Sequence, residues 1–179
     1  MSVPRERDEG VEYTSSHWSE FATAHVGASA ALLGLVFVGL TINLREVVHS
    51  RWLVNRAAEA VILLGSVLAT STAVLVPGQR RGALSAELIV LGVVTFGFVL
   101  LLQRGITMQP QDPGKGGPPP SSILIRRVMG LGAPVLFAVA GISLAATTGG
   151  GLYWLVLALL AAYVGALANA WVLLIEILR

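Results

Sequence analysis

The stretch FATAHVGASAALLGLVFVGLTINL, residues 21–44, contains 24 residues and no Lys, Arg, Asp or Glu. A helix rises about 1.5 Å per residue and the hydrocarbon core of a bilayer is about 30 Å thick, so about 20 apolar residues suffice to cross it. Four further stretches are similarly apolar, at residues 57–76, 84–102, 128–147 and 152–178. The sequence therefore predicts five transmembrane helices.

The five spans are continuous apolar runs, whereas the strands of a membrane barrel alternate between polar and apolar residues. Helices satisfy their own backbone hydrogen bonds in lipid. With a mean hydropathy of +0.77 and 12 % charged residues, the chain is predicted to be an all-α membrane protein, a bundle of five transmembrane helices. We expect a single transmembrane domain over residues 21–179, after an acidic N-terminal tail over residues 1–20.

Composition also excludes several classes of site. The chain has no cysteine, which excludes disulfides and thiolate metal ligands. Its net charge of +2 is spread along the sequence, so no nucleic-acid partner is expected. No zinc-protease, nucleophile-elbow or phosphate-loop motif is present, and we predict neither enzymatic activity nor a cofactor or metal. Membrane lipid is the expected surrounding.

The distribution of basic residues predicts the orientation. The first and third loops together with the C-terminus contain eight Lys and Arg, and the opposite side contains four. Because cytoplasmic segments are enriched in Lys and Arg, we expect the N-terminus outside and the C-terminus inside. The Pro- and Gly-rich segment QPQDPGKGGPPPSS, residues 109–122, predicts a mobile cytoplasmic loop over residues 105–122.

Turns and a possible kink are also visible. Pro77-Gly78 and the triple glycine at 149–151 predict tight turns, the second between antiparallel neighbours. Pro134 is expected either to kink the fourth span or to mark its start.

Small residues recur on the first span at intervals of three and four. Such a stripe allows two helices to approach closely in lipid, either between copies or within one bundle, and both interpretations stay open. The stripe comprises Ala24, Gly27, Ala28, Ala31 and Gly34. The fifth span has a similar stripe, at Ala158, Ala161, Ala162, Gly165 and Ala166.

Polar residues within membrane spans are rare and often functional. Here they form two layers. The outer layer contains Glu20, His25, Gln79, Arg80, Arg81 and Glu87. The inner layer contains Asn43, Arg45, Arg56, Glu59, Gln103, Arg104, Asn169 and Glu176.

Several of these residues have simple structural interpretations. Arg56 lies one turn before Glu59, so an intrahelical ion pair is expected. Glu87 lies near the start of its span, where the helix dipole stabilises a carboxylate. A hydrogen bond to a neighbouring helix is the favoured interpretation of His25, with a proton sensor as the alternative. His17, Glu20 and His25 form at most a weak metal-site pattern.

Four segments resemble a family of small multi-pass membrane proteins of actinobacteria, some of which are labelled modulators of the FtsH protease. They are GASAALLGLVFVGLTINL (27–44), RAAEAVILL (56–64), LVPGQ (75–79) and AELIVLG (86–92). The resemblance covers the first half of the chain. It implies a location in the bacterial cytoplasmic membrane and draws attention to Asn43, Arg56, Glu59, Gln79 and Glu87.

Two functions are compatible with these features. The first is a homo-oligomer formed through the small face of the first span, and its more specific form is an ion-conducting pore. In the pore, Leu35, Val38 or Ile42 would form the constriction, with Glu20 or His25 near the outer mouth. The alternative is a non-enzymatic regulatory partner of another membrane protein, such as a membrane-bound protease. A membrane-embedded enzyme or lipid handler is disfavoured, because Asn169 alone lies near mid-membrane.

Overall fold

The computed structural model describes residues 15–107, 120–147 and 150–177, and within these ranges the only regular secondary structure is helical. The helices are α1 (Ser15–Ile42), α2 (Leu44–His49), α3 (Arg51–Val74), α4 (Arg81–Thr107), α5 (Pro120–Ala146) and α6 (Tyr153–Ile177). All except α2 are long and apolar enough to cross a membrane, by length and composition. The predicted all-α bundle with five membrane spans is confirmed.

The helix boundaries differ from the predicted spans in ways that the local sequence explains. The first span ends at Asn43, where the chain turns into the six-residue α2. The helix of the fourth span begins at Pro120, because proline is well tolerated in the first turn of a helix, whereas its membrane-spanning part, Arg126–Ala146, is close to the predicted residues 128–147. Pro134 therefore lies inside α5 and does not mark its start. The predicted mobile loop is helical at both ends, and its residues 108–119 lie outside the described part of the chain.

The helices α3, α4, α5 and α6 form a closed ring in which each packs against the next, and α3 also packs against α6. Helix α1 lies on the outside of this ring, mainly against α3. Helix α3 is accordingly the most buried span and α1 the least. We call the end of the bundle where α1, α4 and α6 finish the arginine-rich end. Six arginines lie there: Arg45, Arg51, Arg56, Arg104, Arg126 and Arg127.

The closest helix contact in the ring is made by glycines of α4 and α5. A Cβ atom on Gly92 would lie 2.7 Å from the backbone nitrogen of Ala138 and 2.9 Å from the carbonyl oxygen of Pro134. A Cβ atom on Gly141 would lie 2.8 Å from the carbonyl oxygen of Ser85. Ser85 Oγ also donates a hydrogen bond to the Gly141 carbonyl at 2.8 Å. Small residues thus allow backbone-to-backbone packing, as is common between membrane helices.

The turns at the opposite end use glycine as predicted. Gly78 has φ +67°, and Gly150 and Gly151 have φ +95° and +49°. These left-handed conformations strain residues with a Cβ atom. The second turn joins α5 to α6, which pack against each other as expected for antiparallel neighbours.

Candidate functional site

A buried carboxylate lies between three helices near the arginine-rich end. The Glu59 side chain of α3 is only 1 % exposed. Its Oε2 accepts a hydrogen bond from Nη2 of Arg126 on α5 at 3.2 Å, and its Oε1 accepts one from Nε2 of Gln103 on α4 at 2.9 Å. Removing a carboxylate from water costs several kcal/mol unless such partners compensate for it. The Glu59 carboxylate therefore connects three helices of the ring.

Arg56 extends this cluster to the fourth helix of the ring. Its Nη1 donates a hydrogen bond to Oδ1 of Asn169 on α6 at 3.1 Å, and Asn169 is buried. The guanidinium carbon of Arg56 also lies 4.8 Å from the ring centroid of Trp52, a cation–π distance. We call Arg56, Glu59, Gln103, Arg126 and Asn169 the polar cluster. It contains two cations and one anion.

A glycine provides the space for the polar cluster. A Cβ atom on Gly130 of α5 would collide with Oε1 of Glu59 and Nε2 of Gln103. Since a side chain there would displace the Glu59–Gln103 hydrogen bond, residue 130 must be glycine in this arrangement. The hydrogen bond, the ion pair and the close approach of α5 thus depend on one another.

The polar cluster corrects the predicted ion pair of Glu59. The sequence spacing paired Glu59 with Arg56, but the two side chains point to different helices: Glu59 contacts α4 and α5, and Arg56 contacts α6. Partners from other helices compensate the buried charge and also hold the helices of the ring together. Arg126 was used only to predict orientation, and its role in the polar cluster was missed. Arg126 lies two residues before the predicted fourth span, so its place inside a helix became visible only with the start of α5 at Pro120.

Glu87 also has a different environment from the one predicted. It lies six residues after the first residue of α4, beyond the first turn in which the helix dipole acts. Its Oε2 instead accepts a hydrogen bond from Nε2 of Gln79 at 2.7 Å. The structure therefore joins two residues that the sequence analysis had placed separately in the outer layer.

The small face of α1 points away from the ring. Every member of this stripe is exposed, and of the described α1 side chains only Ala22 and Ser29, on the opposite side, are buried. Within the described chain, no atom lies within 4 Å of a Cβ built on Gly27 or Gly34. The interpretation that this face packs tightly within one bundle is therefore wrong. Besides the glycines, the residues exposed on this side of α1 are Glu20, Ala24, Ala28, Ala31, Leu35, Val38 and Ile42.

The stripe on α6 behaves in the opposite way. Ala158, Ala162 and Ala166 are at most 1 % exposed, and a Cβ on Gly165 would lie 2.9 Å from the Met129 carbonyl oxygen. Two stripes of similar composition thus serve different purposes. That of α6 packs against its neighbours in the ring, and that of α1 is exposed in the described part of the chain.

His25 links α1 to α6, as its favoured interpretation predicted. Its Nδ1 lies 3.1 Å from the hydroxyl oxygen of Tyr163, and the two rings stack with centroids 5.6 Å apart. The Tyr163 hydroxyl also donates to the His25 carbonyl at 3.3 Å. Nearer the chain start, Trp18 and Tyr153 make a second contact between α1 and α6, at 5.5 Å. Among the described residues, no three His, Asp or Glu are close enough to hold a metal.

On the side of these contacts towards the arginine-rich end, a groove of about 710 Å³ lies between α1 and α6. Its walls run from Leu32 to Asn43 on α1 and from Leu167 to Leu174 on α6, and nearly all of its surface is apolar. Asn43, which the sequence analysis placed in the inner layer, lies at one end of the groove. The groove is separate from the polar cluster. Glu176 belongs to α6, but its side chain is outside the described part.

Comparison with known proteins adds no relative: no family model, no curated protein and no solved structure matches this chain.

Proposed function

We propose that this chain is a self-associating integral membrane protein in which the small face of α1 docks against the same face of a second copy. One observation carries the proposal: the face is exposed along its whole length, while the similar face of α6 is buried. In lipid, burial from water does not drive helices together, so close packing between small residues becomes the main attraction. The face of α1 has that composition, and the described residues do not cover it.

The pore form of this proposal replaces the two-fold contact by a ring of more than two copies, in which each α1 contacts a different neighbour on either side. Leu35, Val38 and Ile42 lie on the same exposed face, at 67 %, 58 % and 77 % exposure, and would face the axis. Glu20 would stand near one mouth. The proposed role is non-enzymatic, because the sequence contains no catalytic motif.

Disulfide cross-linking tests the interface directly. Because the chain contains no cysteine, a single introduced cysteine cannot form a disulfide within one chain, and any disulfide must join two molecules. Ala31→Cys places a thiol on the small face, and Ala30→Cys, also exposed, places one at the same depth about 100° around the helix. We expect oxidised dimers from Ala31→Cys in native membranes and few from Ala30→Cys. Equal cross-linking of the two variants would contradict the proposed face.

A matched pair of bulky substitutions measures the strength of association. Ala31→Ile should weaken self-association about tenfold or more, because inserting extra methylenes into a packed contact costs about 1–3 kcal/mol. Ala30→Ile should leave it unchanged. Fluorescence energy transfer between labelled copies in liposomes gives the dissociation constants. Cross-linking of Ala31→Cys to a different membrane protein, without a dimer, would replace self-association by the regulatory alternative.

Conductance in planar bilayers separates the pore from a closed oligomer. If the pore form is right, wild type conducts, and Val38→Asn raises the current by adding a polar group to an apolar constriction. Silence across voltage from a protein that still cross-links at residue 31 would eliminate the pore and leave the oligomer.

A further inference from the structure

The groove between α1 and α6 has the length of one membrane leaflet. From Leu32 to Asn43, α1 advances eleven residues, or about 16 Å at the helical rise. Half of the hydrocarbon core is about 15 Å. A transmembrane helix from a partner would need a groove of about 30 Å to pack along it. Beyond Leu32 such a groove is blocked by the His25–Tyr163 contact. The length therefore matches an acyl chain and not a crossing helix.

The end of the groove at Asn43 is polar and positively charged. Arg45 lies two residues beyond Asn43, in the first turn of α2, and its side chain is exposed. Trp171, at 63 % exposure, forms part of the rim, and tryptophan favours the level of lipid headgroups. Among the side chains that the structure describes, this end contains six arginines, Glu46 and Glu59; Glu176 of α6 belongs to the same end. A ligand seated here meets a positive potential at one end and an apolar channel along the rest.

We propose that this groove binds one anionic phospholipid, with an acyl chain between α1 and α6 and the phosphate at Asn43 and Arg45. The groove and the small face are adjacent on α1 and share Leu35, whereas Gly39 lines the groove alone and Gly34 belongs to the small face alone. The proposal assigns a ligand to a surface that takes no part in the polar cluster and that meets the proposed interface only at Leu35.

The affinity of the groove is measured by native mass spectrometry of the full chain in detergent, titrated with phosphatidylglycerol or with phosphatidylcholine of the same chains. We expect one tightly held lipid and a preference of about fivefold or more for phosphatidylglycerol, since one arginine near the headgroup changes anionic lipid binding by about that factor. Equal retention of the two lipids, with no single preferred adduct, would show ordinary surrounding lipid and overturn the proposal.

Two glycines of α1 form a matched pair for the apolar part. Gly39 lines the groove, Gly34 lies on the small face, and a Cβ on either meets no atom within 4 Å in the described chain. Gly39→Leu should fill the groove and remove the preferred adduct, while leaving cross-linking at residue 31 intact. Gly34→Leu should retain the adduct and weaken self-association. Should Gly39→Leu fail to fold, Ala170→Leu fills the groove from the α6 wall.

Two arginines form a matched pair for the charged part. Arg45→Gln should reduce the preference for phosphatidylglycerol about fivefold. Arg127→Gln removes the same charge from the same end, but α5 does not line the groove, so the preference should be unchanged. Equal effects of both variants would mean that the charge of the whole end, and not this groove, selects the lipid. Disulfide dimers of Gly39→Cys would place a second copy in the groove and would likewise overturn the proposal.

Discussion

Removal of Arg126 should destabilise the bundle far more than its position near a helix end would suggest. In Arg126→Met the Glu59 carboxylate remains 1 % exposed, with Gln103 as its remaining donor. Breaking a buried pair by removing one partner costs about 3–5 kcal/mol, because an uncompensated charge stays behind. We expect a loss of about 3 kcal/mol in the free energy of unfolding, the lower end of that range, since one hydrogen bond survives.

The reciprocal change should cost less. Glu59→Gln leaves Arg126 without its anion, but the Arg126 side chain is 17 % exposed and can extend its charge towards the membrane surface. The expected loss is about 1–2 kcal/mol. The double variant Glu59→Gln with Arg126→Met has no buried charge at this position and should lie within about 1 kcal/mol of wild type. The pair should therefore show a coupling energy of about 3–5 kcal/mol.

These free energies can be measured by unfolding the purified protein in mixed micelles with increasing dodecyl sulfate, followed by circular dichroism. Arg127→Met is the matched control, because Arg127 is the exposed neighbour and its loss should change stability by less than about 0.5 kcal/mol. Equal losses for the variants at 126 and 127 would refute the reasoning. So would a double variant whose effect is the sum of the single effects within about 0.5 kcal/mol.

Three further predictions concern packing, the contact of α1 with α6, and orientation. Gly92→Leu should lower the free energy of unfolding by at least about 1–3 kcal/mol, since its Cβ would lie 2.7 Å from a backbone nitrogen of α5. Gly97→Leu, on the same helix with open space around it, should leave the free energy of unfolding unchanged. The same unfolding assay measures both variants. Tyr163→Phe removes the hydroxyl that bonds α1 and should cost about 0.5–1.5 kcal/mol, which thermal unfolding of the detergent complex can detect; no change in midpoint would mean that this hydrogen bond does not hold α1. For orientation, a cysteine in place of the exposed Val48 should react with a membrane-impermeant thiol reagent only after the membrane is opened, whereas a cysteine in place of the exposed Val76 should react in intact cells. The reverse pattern would place the N-terminus inside.

The sequence pattern predicted some features of this membrane protein and not others. Hydrophobic length predicted the five spans, since a helix must cross about 30 Å whatever its neighbours are. The helix ends were less predictable. Helix α5 begins at Pro120, because proline fits the first turn of a helix more readily than the interior of one. The inner polar residues, with the exception of Arg126, were identified as a group, but their pairs were not. Helical spacing favoured Arg56 for Glu59, whereas the structure brings Arg126 to it from a helix 67 residues later.

The stripes of small residues were likewise only partly predictable from the sequence. Sequence identified both, on α1 and on α6, and could not tell which packs within the chain. The glycines that bring α4 and α5 together, Gly92 and Gly141, were not distinguished from the others at all.

By itself, the sequence of this protein determined its solvent, its helical class and the number of crossings, because these depend on the composition and length of each segment alone. Tertiary structure decided which polar groups pair and which small face stays free, and it also opened the groove between α1 and α6. Those features depend on the rotation and spacing of helices far apart in the chain. Helix orientation about its own axis is set by packing against neighbours, and no local pattern specifies it.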